Sequence, residues 1–136
     1  MQAVLDPNVV ISGTLSPGGA PANVLRSLAR GDFELIASQA LLDELQRALA
    51  YPKLRLHISE SDAAGLVRWI AGSASVVVDP DADPPVHSRD SSDDYLISLA
   101  SAHRAALVSG DKDLLALEGE IPIFSPRAFL DLLAGA

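Results

Sequence analysis

The chain has 136 residues, 49% of them hydrophobic and only 4% aromatic, with no cysteine and a formal net charge of −8. That length fits one domain with an aliphatic interior and leaves no room for a second full core. Disulfides and thiolate metal sites are excluded, no run approaches the roughly 20 apolar residues of a membrane span, and the acidic balance argues against a purely electrostatic polyanion binder.

Ala3 to Leu5 reads as a buried strand that runs into Asp6. Because Asp6 interrupts the only apolar stretch near the start, no secretory leader is expected, and the chain reads as soluble and cytoplasmic. Asn8 to Leu15 forms a short helix stopped by Ser16-Pro17-Gly18-Gly19. Pro21 opens a second helix through Ala29, with Gly31 past its end. Phe33 to Ala37 is a second strand, and Ser38 caps a helix to about Ala50 that Pro52 keeps from continuing. Ser59 caps another helix to Ala71 with Gly72 as its stop, followed by a β-branched strand, Ser75 to Val78. Asp79 to Pro85 is a loop. Asp90 to Asp93 begins a helix through His103, Ala105 to Val108 is the next strand, and a short helix covers Asp113 to Leu117. Ile121 to Phe124 is a last strand, and Ser125-Pro126 cap a terminal helix, Arg127 to Leu133. Strands alternating with helices predict an α/β fold, three layers α/β/α around a parallel sheet of four to five strands, in a single domain.

In a parallel sheet the tips of the strands ending at Leu5 and Val108 share one edge, where open α/β sheets bind ligands. Asp6 and Asp111 sit just beyond those tips. Each acid also has an ordinary reading as a helix cap or a solvated side chain. Glu44 lies at the border of the apolar face formed by Leu41, Leu45, Ala48 and Leu49, whereas Asp43 points away and is spaced to pair with Arg47. Asp90, Asp93 and Asp94 exceed what capping a helix start requires. Asp93 lies over the Leu96, Ile97 and Ala100 stripe and Asp94 just past its edge, and spacing does not decide which faces the sheet. Ser109-Gly110 supplies a tight turn before Asp111, with Asp113 as cap.

The order of these acids, together with Val4-Leu5-Asp6-Pro7-Asn8-Val9-Val10-Ile11-Ser12, Ser16-Pro17-Gly18-Gly19, Val108-Ser109-Gly110-Asp111-Lys112-Asp113-Leu114-Leu115 and Ser125-Pro126-Arg127, resembles the PIN-domain family of metal-dependent ribonucleases, with the toxin components of toxin–antitoxin pairs as the nearest branch. The resemblance implies catalytic acids at Asp6, Glu44, Asp94 and Asp111, with Asp93 competing for the third place. It implies Mg²⁺ or Mn²⁺ held by Asp6, Asp94 and Asp111, oxygen ligands that suit these ions. Pro7 departs from the family, which usually has a hydroxyl residue there; Ser12 and Ser109 are the remaining nearby hydroxyls. RNA is the implied substrate, with Lys53, Arg55, His57, Arg89 and Lys112 as candidate phosphate contacts. The implied partner is a small antitoxin whose segment covers the acidic groove, and self-association through leftover apolar helix faces is also expected. Two other readings stay open on the residues: a non-catalytic protein-binding module of the same fold, and a haloacid-dehalogenase-like phosphotransferase. Asn8 argues against the second, because the general acid expected two residues after the nucleophile is missing.

Overall fold

The structure, a computed structural model, describes residues 1–135. Its five strands are β1 (Gln2–Leu5), β2 (Glu34–Ser38), β3 (Ala74–Val77), β4 (Ala106–Val108) and β5 (Ile123–Phe124). They form one parallel sheet in the order β3-β2-β1-β4-β5. The helices are α1 (Pro7–Leu15), α2 (Ala20–Arg30), α3 (Gln39–Leu49), α4 (Pro52–Arg55), α5 (Glu60–Ser73), α6 (Asp94–Ala102), α7 (Lys112–Leu115) and α8 (Pro126–Ala134), with a 3₁₀ turn over Ser91–Asp93.

Side-chain alternation along the strands sorts the interior into two layers. Ala3, Leu5, Leu35, Ala106 and Val108 join α1, α2, α5 and α8 on one face of the sheet, around Phe129, which meets Phe33 edge to face at 5.0 Å. Val4, Ile36 and Leu107 join α6 and α7 on the other. Helix α3 serves both layers, with Leu42, Leu45 and Leu49 in the first and Leu41 in the second. The expected three-layer parallel α/β architecture is therefore present, and among the described residues no helix is long and apolar enough to cross a membrane.

Caps set the helix boundaries. Gly31 ends α2 at φ +80°, a left-handed conformation that glycine adopts without steric cost. Ser59 and Ser125 cap α5 and α8 through the N–H groups of Asp62 and Ala128. Helix α3 has two caps. Ser38 Oγ accepts from Leu41 N–H at 3.3 Å, and Asp79, returning from beyond β3, accepts from Ala40 N–H at 3.0 Å.

Three local expectations, on Gly72, the last strand and the partner of Arg47, are corrected. Gly72 does not stop α5, which runs to Ser73 and passes into β3 through an extended Ala74. Helix α3 stops at Leu49, before Pro52, as expected, and Pro52 itself opens a separate one-turn helix, because proline at N1 needs no N–H. The last strand is only Ile123–Phe124, since Ile121 N–H closes a turn onto Leu117 O. Arg47 pairs with Glu44 and not with Asp43, whose carboxylate accepts from Gln39 Nε2.

Candidate active site

Register brings the two tip aspartates to one edge. Leu5 pairs with Val108, and Asp6 N–H extends the ladder by donating to Val108 O at 2.9 Å. Asp6 is 4% exposed, yet both carboxylate oxygens are engaged: Oδ1 accepts from Asn8 N–H at 3.0 Å and Oδ2 from the Ser109 hydroxyl at 2.8 Å. Ser109 Oγ in turn accepts from Asp111 N–H at 3.0 Å, so one fully buried hydroxyl ties the two strand tips together. Asp111 Oδ2 caps α7 through Leu114 N–H. Gly110 has no positive φ, and the turn at this tip is closed by the Ser109 Oγ bond to Asp111 N–H.

The structure separates the two adjacent aspartates. Asp94 braces the loop before it, accepting from Ser88 N–H and meeting His87 Nδ1, each at 2.8 Å. The His87 contact holds the Asp94 carboxyl below its ordinary value. Asp93 lies in the field of Asp6, Asp111, Asp90 and Glu44, and burial with that repulsion pushes its carboxyl up to about 6. Burial likewise raises Asp6, with Asp111 and Glu44 adding repulsion against the two hydrogen bonds that favour its charge. Asp90 caps the 3₁₀ turn through Ser92.

Glu44 reaches this field from α3, half-exposed, with Oε2 held by Arg47 at 2.6 Å. Two features went unread in the sequence. His87 is a partner for Asp94, and Tyr95 carries a buried hydroxyl with no hydrogen-bond partner. Burial, followed by the charges of Asp6, Glu44 and Asp93, opposes ionisation of that phenol. The only forewarning was a tyrosine directly after two aspartates.

Ser12 and Asn8 face a small cleft of about 230 Å³ shared with Gly110 and Asp111. Of the candidate phosphate contacts, Lys53, Arg55, His57, Arg89 and Lys112 are all exposed. Arg55 lies with Arg68 along a groove of about 310 Å³ between α3 and α5. Lys112 and Arg89 flank Asp111 and Asp90 in sequence.

Among the described residues, Asp6, Asp93 and Asp111 have no ion-pair partner, and no three acids or histidines are already gathered tightly enough to grip an ion. The donor set nevertheless fits a hard divalent cation. It is all carboxylate oxygen, and its mutual repulsion is relieved by positive charge.

The PIN domain family profile matches residues 2–113. A relative, the uncharacterized protein MJ1680 of Methanocaldococcus jannaschii, is 29% identical over 120 residues, covering 88% of this chain and 77% of its own. The fold is similar to the crystal structure of PAE2754 from Pyrobaculum aerophilum, with a TM-score of 0.65 at 17% identity, covering 100% of this chain and 97% of that one. It is also similar to VapBC2 from Rickettsia felis bound to a promoter DNA fragment, with a TM-score of 0.61 at 15% identity, covering 92% and 98%. For FitAB bound to the IR36 DNA fragment the TM-score is 0.59 at 20% identity, covering 91% and 94%. With the family profile spanning most of its length and the acids gathered at the sheet edge, this chain belongs to the PIN domain family.

Proposed function

We propose that this protein is a metal-dependent endoribonuclease that hydrolyses RNA phosphodiester bonds, acting as the toxin of a toxin–antitoxin pair. The observation that carries the reading is geometric: Asp6, buried at the tip of β1, is joined through the Ser109 hydroxyl to the Asp111 tip, and among the described residues none of Asp6, Asp93 and Asp111 has an ion-pair partner. A structural cluster would pair such charges with bases, whereas a site for a cation leaves them opposed.

Asp6, Asp93 and Asp111 would hold Mg²⁺ or Mn²⁺, with Glu44 completing the set or orienting water. Asp94, the other candidate for the third place, is the brace that fixes the preceding loop. When bound, such ions activate water for in-line attack and stabilise the leaving oxygen. The chain's own part is positional. Ser109 and Asn8 fix both Asp6 oxygens, so this ligand needs no reorganisation. Burial and the neighbouring acids raise the Asp93 carboxyl to about 6, and a bound cation would favour its ionised form. Pro7 is buried as the first residue of α1 and brings no hydroxyl of its own to Asp6, which accepts instead from the Asn8 N–H and the Ser109 hydroxyl. Arg55, Lys112 and Arg89 would contact RNA phosphates, and the neighbours solved as VapBC2 and FitAB complexes support an antitoxin as partner.

Asp6→Asn should abolish Mg²⁺- or Mn²⁺-dependent RNA cleavage while circular dichroism stays unchanged. Cleavage at the wild-type rate by a folded Asp6→Asn protein would refute the assignment. Metal binding without cleavage by the wild type would favour the non-catalytic module.

A further inference from the structure

The two borders of the sheet are unlike. At one, β5 is two residues long, Pro122 stands at its entrance, and Ile123 turns its N–H back onto Ile121 O, so little of its outer backbone is open to pairing. At the other, β3 has none of these devices. The stretch Ala71-Gly72-Ser73-Ala74-Ser75-Val76-Val77-Val78 holds no charge and no proline, and it ends in three β-branched residues. Val76 is 50% exposed and Val78 89%, and strand alternation puts both on one side. Just beyond them Asp79 is tied to Ala40 N–H, past the tip of β2, so the chain turns inward and leaves the outer side of β3 uncovered. Among the described residues, no backbone group of Ser75 to Val78 bonds to anything outside the sheet. Alternate N–H and C=O groups along this strand therefore point outward unpaired.

We propose that β3 is the pairing edge for a second copy of this chain, joined antiparallel about a two-fold axis at Val76 into one continuous sheet. Charge selects this occupant. At a net charge of −8, two copies repel one another over most of their surface. The β3 border is where they meet without that penalty, and a strongly charged foreign strand would find no counter-charge there. With Val76 across from its own counterpart, Ala74 faces Val78 and Ser73 faces Asp79, so no two acids are opposed. Two-fold symmetry makes the patch its own complement, and each outward N–H meets a C=O of the other copy. The strands are short, so the dimer is weak and depends on concentration. Antiparallel joining sends the two edges that carry Asp6 and Asp111 to opposite ends of the shared sheet, and the inference does not depend on what those edges do.

The test is sedimentation equilibrium of the full chain over a wide concentration range, for wild type, Val76→Lys, Val78→Lys and Leu56→Lys, with thermal unfolding of each at high dilution. Wild type should pass from monomer to dimer as concentration rises. Val76→Lys sets two like charges face to face and should weaken dimerisation at least about tenfold, with the dilute Tm unchanged because the side chain is half-exposed. Val78→Lys should weaken it as well, and it carries the test if Val76→Lys does not fold. Leu56, 80% exposed at the end of α4, marks the rival contact through helix faces, and Leu56→Lys should leave the dimer intact. The chain has no cysteine, so Val76→Cys can be linked only to another copy. Opposed Cα atoms of an antiparallel pair lie roughly 4.5 or 5.5 Å apart, within the span of a disulfide. Mild oxidation should link Val76→Cys into dimers and leave Glu120→Cys, near the β5 border, unlinked. A wild type that stays monomeric at every concentration overturns the inference. A dimer that survives both valine variants, or that Leu56→Lys breaks, overturns it too, as does equal linking of the two cysteine variants.

Discussion

Asp93→Asn should make the metal-free protein more stable at about pH 8 and leave it nearly unaltered at about pH 2.5, below the ordinary carboxyl value. The Asp93 carboxyl rises from an ordinary 3.8 to about 6 on folding. Below the ordinary value both folded and unfolded chains are protonated, so burial costs nothing there. As pH climbs, the unfolded chain ionises first, and above about 6 the folded chain carries a charge that its surroundings disfavour. The penalty therefore grows through this window and is full above it. Two pKa units correspond to a ceiling of about 3 kcal/mol. Asp93 is only partly buried, so solvent screening leaves about 1 kcal/mol of that ceiling. For a chain of this length the gain is about 3 to 4 °C in Tm. Asp94→Asn should do the opposite. The folded state lowers the Asp94 carboxyl, so its stabilising share is present at neutral pH and lost as pH falls through the lowered value. Losing its bonds to Ser88 and His87 should cost about 0.5 to 1 kcal/mol near pH 8. Thermal and urea unfolding of both variants with chelator, at three pH values, measures the contrast. The reasoning fails if Asp93→Asn is no more stable than wild type near pH 8, or if both variants shift stability in the same direction.

Ser109→Ala should cost about 1 to 3 kcal/mol in urea unfolding, because it leaves both Asp6 Oδ2 and Asp111 N–H without their shared partner. Gly13→Ala should destabilise by about 1 to 3 kcal/mol, since its Cβ would lie 2.9 Å from Pro21 O and 2.7 Å from Leu25 Cδ1 where α1 and α2 touch. Gly18→Ala, which meets nothing within 4 Å, should shift the same unfolding midpoint by less than about 0.5 kcal/mol.

The sheet was legible because its strands are short aliphatic runs bounded by caps and glycines, and each run that ends in an aspartate marks a tip. The pairing of Asp6 with the Asp111 tip followed from parallel topology alone. The choice between Asp93 and Asp94 was not legible. A helical wheel assumes uniform winding, and the tighter 3₁₀ turn over Ser91–Asp93 breaks that assumption just where the answer lies. Arg47 had acids at both i−3 and i−4, so its choice of Glu44 depended on rotamers that spacing does not specify. Gly72 shows that glycine permits a helix stop without requiring one.

The proline-rich span between β3 and α6 is moored at both ends, by Asp79 on Ala40 and by Ser88 on Asp94. Between these moorings Asp81, Ala82 and Asp83 lie open to solvent. Lengthening a bridge whose abutments are already anchored raises its closure entropy only logarithmically. A graft spliced there, such as an epitope or a dye-bearing peptide, would sit beside the acid cluster without loosening either helix that feeds it.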